Sequence, residues 1–160
     1  MGNRQVYIPA LDLEILGVRI ECFKGPARHS YLGAWWKWFD DVMTQKAGSR
    51  FIAIGDFNTD TDRTRAKYGT HLKRIAEGNW HFPSPENGIS YFEHNRRPTS
   101  RIDHALVSKL FAQPTATYVT KYGPYTYAGE SGALSDHAPL ILDMDCATST
   151  KMPRNFPGRR

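Results

Sequence analysis

Gly55-Asp56-Phe57-Asn58, Arg101-Ile102-Asp103-His104 and Ser135-Asp136-His137 carry the side chains with the clearest chemistry in this chain of 160 residues. Carboxylates, an amide and an imidazole are the groups that a hard divalent cation and a phosphoester call for. Each segment abuts an apolar run. Phe51 to Ile54 leads into Asp56, Asp103 opens the run Ala105 to Val107, and Asp136 and His137 precede Pro139 to Leu142. Strand ends hold side chains rigidly around one pocket, so these residues are expected to converge there. Taken singly, the first segment also reads as a turn and the third as a helix cap.

In this order and spacing the three segments resemble the endonuclease/exonuclease/phosphatase superfamily, over about Leu11 to Asp145 and in the second half of the family domain. The resemblance implies an α/β fold, part of a two-sheet α/β sandwich with helices packed outside and mostly antiparallel or mixed strands. It implies metal-dependent hydrolysis of phosphodiester bonds, most plainly in nucleic acid, with Mg2+ or Mn2+ held by Asp56 and Asp136. His137 would activate water or stabilise the transition state, with its ring fixed by Asp103. Asp56 is the other candidate base. Asn58 would donate to a phosphate oxygen. Tyr91 stands where the family often places an aromatic residue and reads equally as a pocket-lining or a core side chain, while Arg96, Arg97 and Arg101 read as contacts for substrate phosphates or as a solvated loop.

One part of the family pattern is missing. No Gln is followed by Glu anywhere in the chain, so the family's metal-binding glutamate has no counterpart. Residues 1–145 are therefore expected to form a C-terminal half-domain, weakly active or inactive alone. It would self-associate or dock on a separate N-terminal half. The alternatives are a non-catalytic nucleic-acid-binding remnant and a hydrolase of another phosphoester.

The elements that must position these residues are legible in outline. Val6 to Ile8 reads as a strand stopped by Pro9. From Leu11 to Cys22 apolar and polar residues alternate, as a strand pair or as one long strand bulged at Gly17. Leu32, Trp35, Trp36, Phe39, Val42 and Met43 follow a helical stripe, with Ser30 as N-cap and Lys46 near the end. That spacing favours core packing of the tryptophans over a base-stacking platform. Phe51 to Ile54 reads as a buried central strand. Thr59 to Lys67 reads as a surface loop, and Thr70 caps a short helix that stops at Gly78. Strands are expected at 89–92, 102–107, 115–119 and 138–144, with a helical turn at 108–112 and a loop from Tyr122 to Gly132. His29, His71, His81 and His94 read as surface or loop residues, His104 as structural or surface, and Cys22 as a small core residue. The two cysteines have no metal or redox spacing and read as unpaired.

Composition bounds the rest. At 40% hydrophobic the chain can bury one core. No apolar run approaches the ~20 residues of a membrane span, and no signal-peptide core is evident, so the expectation is a cytoplasmic protein without a membrane. The net charge is +5, and Lys151, Arg154, Arg159 and Arg160 supply +4 of it. Residues 146–160 thus read as a basic, disordered tail, either a non-specific contact for phosphates or only a solubilising end, on a nearly neutral body.

Overall fold

Leu13 and Ile15 lie on one face of an extended 13–18 segment and Leu16 and Val18 on the other, so one strand has two faces to bury. The computed structural model, which describes residues 3–22, 25–62, 67–85, 88–93 and 97–146, uses both. β1 (Arg4–Ile8) pairs antiparallel with β2 (Leu13–Arg19) through a single 3-10 turn at Pro9–Leu11. Gly17 lies opposite Arg4 in an unbroken register, so β2 neither bulges nor breaks there. α1 (Arg28–Lys46) crosses over to β3 (Phe51–Asp56), which runs parallel to β2. Parallel neighbours need such a long connection.

α2 (Lys67–Glu77), β4 (Trp80–His81), β5 (Tyr91–Phe92), β6 (Pro98–Ser100) and β7 (Asp103–Ser108) follow. The chain then forms β8 (Ala112–Tyr118), β9 (Lys121–Tyr122), β10 (Tyr125–Thr126) and β11 (Leu140–Asp145). The main sheet is mixed, in the order β1-β2-β3-β7-β4, while β5–β6, β9–β10 and β8–β11 form two-stranded sheets.

Each face of the main sheet has its own core. Leu16, Val18, Phe51, Ala53 and Leu106 meet the helix side, where Trp35, Trp36, Phe39 and Met43 of α1 pack with Leu72 of α2. Trp35 stacks on Phe39 with ring centroids 5.1 Å apart, so the α1 stripe is core. On the other face Leu13, Ile52, Ala105 and Val107 pack with Phe111 against Leu140, Leu142 and Met144 of β11. Helices, five-stranded sheet and β8–β11 pair thus make an α/β sandwich. The third layer is narrower than the sheet it covers. Val6, opposite Ile15 in the register, is 55% exposed, and Ile15 and Ile54 are only partly buried.

Several local expectations are corrected. Ala27 occupies the N-cap of α1 without a side-chain bond, which leaves Ser30 inside the first turn. α2 begins before Thr70, and its Gly69 packs so closely that a Cβ there would lie 2.3 Å from the Asp60 carbonyl. The loop it packs against is accordingly not all surface, since Thr59 and Thr61 are buried. The 108–112 stretch is a turn leading into β8, and the expected loop from Tyr122 contains the β9–β10 hairpin. His71 links α2 to α1, its Nε2 3.0 Å from the Asp40 carboxylate, and His81 Nε2 lies 3.1 Å from the Phe111 carbonyl. His94, and the basic tail after Cys146, lie outside the described residues. No helix among the described residues is long and apolar enough to cross a membrane.

Candidate active site

β3 ends where β7 begins. Asp56 and Asp103 are direct partners in the antiparallel register, so their carboxylates leave the same face at the same end of the sheet. Gly55, just before Asp56, lets β3 pass close to Val18 of β2. Its φ is 143°, and a Cβ would lie 2.1 Å from the Val18 carbonyl. Burial first, and then the Asp103 charge, push the Asp56 carboxyl above its ordinary pKa.

His137 arrives from the segment ahead of β11. An isolated antiparallel bridge ties it to Tyr91, and the backbone N–H groups of Phe92 and Ala138 donate to the carbonyls of Asp136 and Ser90, each at 2.8 Å. Its Nδ1 lies 2.9 Å from Asp103 Oδ2. An ionised carboxylate only accepts, so Nδ1 carries the proton and Nε2 is left for a substrate or water. That bond to Asp103 raises the pKa of His137, against the opposing effect of burial. The Tyr91 ring packs on the imidazole with centroids 5.2 Å apart.

Two residues that the sequence does not single out frame this pair. Ser90, fully buried, accepts the backbone N–H groups of Ile102 at 2.9 Å and Asp103 at 3.1 Å on its hydroxyl oxygen. The Tyr118 hydroxyl donates to the Asp103 carbonyl, and burial holds its pKa well above the ordinary value, so it stays a donor. Both partners are more than ten residues away, which no local motif announces.

Asn58 is placed differently from the expected free phosphate donor. Its backbone is left-handed, with φ 48°, and its N–H donates to Asp56 Oδ1 at 2.9 Å. Its side-chain amide donates to the Ile20 carbonyl at 2.6 Å and lies 3.4 Å from Asp56 Oδ2, while its oxygen accepts from the Cys22 thiol at 2.9 Å. The amide is thus engaged within the protein, where it aims Asp56. Cys22 is exposed beside it and is not a core residue; both cysteines are free.

The arginines divide. Arg101 is 5% exposed, and its guanidinium donates to the Pro85 carbonyl, to Thr61 Oγ1 at 3.0 Å and to Asp62 Oδ1 at 2.6 Å. It clamps the loop after β3, and the expected contact with substrate phosphate is closed to it. Truncation to Arg101→Ala should lower stability by about 2 kcal/mol, read as a fall in melting temperature, with phosphate affinity unchanged. Arg97 is exposed in the β5–β6 connection, and Arg96 lies outside the described residues.

Asp56, Asn58, Tyr91 and His137 share one cleft of about 1130 Å³, which continues to Trp36 of α1 and Tyr68 of α2. Asp136 is exposed and does not line it, so of the two expected metal ligands only Asp56 does. Among the described residues no three His, Cys, Asp or Glu side chains cluster to hold a metal ion. Magnesium nevertheless needs no protein cage, since one or two carboxylates with substrate phosphate and water suffice. Asp56, a hard donor crowded by Asp103, fits that minimal mode.

Comparisons with known proteins bear on the family and the fold. The Endonuclease/Exonuclease/phosphatase family matches residues 8–137. No curated protein matches the chain at the sequence level. Among solved structures, the chain is similar to the mannosyl-6-phosphatase of Bacteroides thetaiotaomicron VPI-5482, at 21% identity and a TM-score of 0.52, covering 83% of this chain and 51% of that one. It is also similar to the endonuclease domain of TRAS1, a telomere-specific non-LTR retrotransposon, at 16% identity and a TM-score of 0.51, covering 89% of this chain and 67% of that one. The chain thus spans about half the length of the first of these and two thirds of the second.

Proposed function

The chain belongs to the Endonuclease/Exonuclease/phosphatase family, and on that premise we propose that it is a metal-dependent phosphodiesterase acting on nucleic acid. The observation that carries this reading is the His137 Nδ1 to Asp103 Oδ2 bond of 2.9 Å, with Asp56 beside it at one end of the sheet. With Asp103 on Nδ1, His137 offers Nε2 to the cleft, where it takes a proton from the attacking water or, once charged, donates to a phosphoryl oxygen. Asp103 holds the ring and favours its charged form, and Asn58 keeps the Asp56 carboxylate aimed. Asp56 is the residue that would hold Mg2+ or Mn2+, and the cation would supply charge relief at the phosphate. The half-open apolar face around Val6, Ile15 and Ile54 is the surface proposed to receive a separate N-terminal half or, without one, a second copy.

Incubating the purified chain with supercoiled plasmid and magnesium tests the reading. Weak nicking that EDTA abolishes is the expected result, since the chain has no counterpart of the family's metal-binding glutamate. Hydrolysis of a phosphomonoester such as p-nitrophenyl phosphate without nicking would move the substrate class to phosphatases, and activity on neither would favour a binding role.

A further inference from the structure

Arg19 and Arg28 line the same cleft as Asp56 and His137, and nothing in the reaction described above uses them. Arg19 ends β2 and is the register partner of Asp56 across the parallel β2–β3 pair, while Arg28 opens α1. Both are exposed. Among the described residues neither has a carboxylate within ion-pair distance, whereas Lys46, Arg101 and Lys121 pair with Glu14, Asp62 and Glu130.

Size and shape point the same way. At about 1130 Å³ the cleft matches or exceeds the ~300–1,000 Å³ that holds a whole drug-sized ligand, far more room than one phosphate and a water need. Leu32 and Tyr68, both partly buried, give the cleft an apolar wall, and Trp36 lies buried behind it. The Tyr68 ring stacks on the buried Trp36 ring, with centroids 5.4 Å apart and 5° between planes. Glu21 and Asp60 also line the cleft, so it is not a uniformly basic surface. Anion selection there falls to the two guanidinium forks, whose geometry matches phosphate oxygens, more than to a general field.

We infer that Arg19 and Arg28 form a second anion subsite, which takes the phosphate next to the scissile one in a polynucleotide strand, with the intervening nucleoside against the Leu32–Tyr68 wall. The inference rests on the phosphodiesterase reading and narrows its substrate to a strand of at least two phosphates.

Titration of the full chain in magnesium with thymidine 5′-monophosphate and with the dinucleotide pdTpdT, followed by tryptophan fluorescence, tests it. The dinucleotide should bind about tenfold more tightly, the worth of one added charge-assisted contact. Arg19→Gln and Arg28→Gln should each cut that advantage to about twofold or less and leave the monophosphate unchanged. The log–log salt slope for the dinucleotide should shrink by about 0.7, the effect of removing one phosphate interaction from a single strand. Equal affinities in the wild type, no binding of either ligand, or an advantage that survives both substitutions would overturn the subsite. So would equal weakening of both ligands, which would place the arginines at a single phosphate site. The underlying reading fails separately: a chain that shows the advantage yet hydrolyses no phosphodiester keeps the subsite and loses the reaction. Nicking that His137→Gln abolishes, without any advantage for the dinucleotide, is the reverse case.

Discussion

Replacing His137 by glutamine is expected to lower magnesium-dependent phosphodiester hydrolysis by about 10²–10⁴-fold, the usual worth of a positioned general acid or base. Gln keeps much of the size and polarity but cannot cycle a proton. Since His137 is partly exposed and its segment is held mainly by backbone bonds to Ser90 and Phe92, the fold should survive the change. Asp103→Asn probes the same bond from the other side. Loss of the carboxylate removes the leading cause of the raised His137 pKa, so the limb of the pH–rate profile governed by His137 should move to lower pH. The sign holds whether the imidazole works as base or as acid. An unchanged profile with a full-sized rate would show that Asp103 does not act through His137. Any loss of monophosphate affinity in either variant should be far smaller than the loss of rate, which separates the chemical step from binding.

How much of this is legible in the sequence depends on the range over which each contact acts. The α1 stripe and the buried run of β3 are readable because helical and strand periods are local. Asp56, Asp103 and His137 are readable because each sits at the end of such a run, although their meeting is implied only by the order of the segments. Arg101 resembles a phosphate contact because it flanks one of those segments. Its carboxylate partner is 39 residues away, and nothing near Arg101 announces Asp62. Asn58 suggests substrate binding because an amide next to the Asp56 carboxylate is chemically able to bind phosphate. The Ile20 carbonyl and Cys22 thiol that occupy it come from the neighbouring strand's extension, 38 and 36 residues earlier. Ser90 and Arg19 stay silent because a serine or a surface arginine has no meaning until the register of β2, β3 and β7 is known. Thr70 makes a plausible N-cap by type, but packing of Gly69 on the Asp60 backbone carries the helix past it.

His104 should make the protein acid-sensitive well above the range where carboxylates titrate. It is fully buried opposite Gly55, between β7 and the loop that follows Asp56. Its Nε2 donates to the Thr59 carbonyl at 2.9 Å and its Nδ1 accepts from the Ser84 hydroxyl at 3.2 Å, which fixes a neutral tautomer. Burial pushes its pKa down from 6.5 to about 4. In the unfolded chain the imidazole takes its proton near pH 6.5, and in the folded chain not until about pH 4. Between those values the unfolded state binds more protons, so stability falls as pH falls, by roughly 3 kcal/mol across the window. The contribution is absent above pH 6.5 and complete below about 4. Urea unfolding of wild type and His104→Asn at pH 7.5, 5.5 and 4.5 isolates it, because all other titrating groups are common to both. The variant should be less stable at pH 7.5 by about 2 kcal/mol, from the smaller side chain and the weakened Ser84 and Thr59 contacts. The gap should close or reverse at pH 4.5, and parallel pH dependences would sink the assignment. The loop that His104 pins carries Asn58 and Thr59 directly after Asp56, so loss of its neutral tautomer would loosen the aim of the Asp56 carboxylate before the sheet itself gives way.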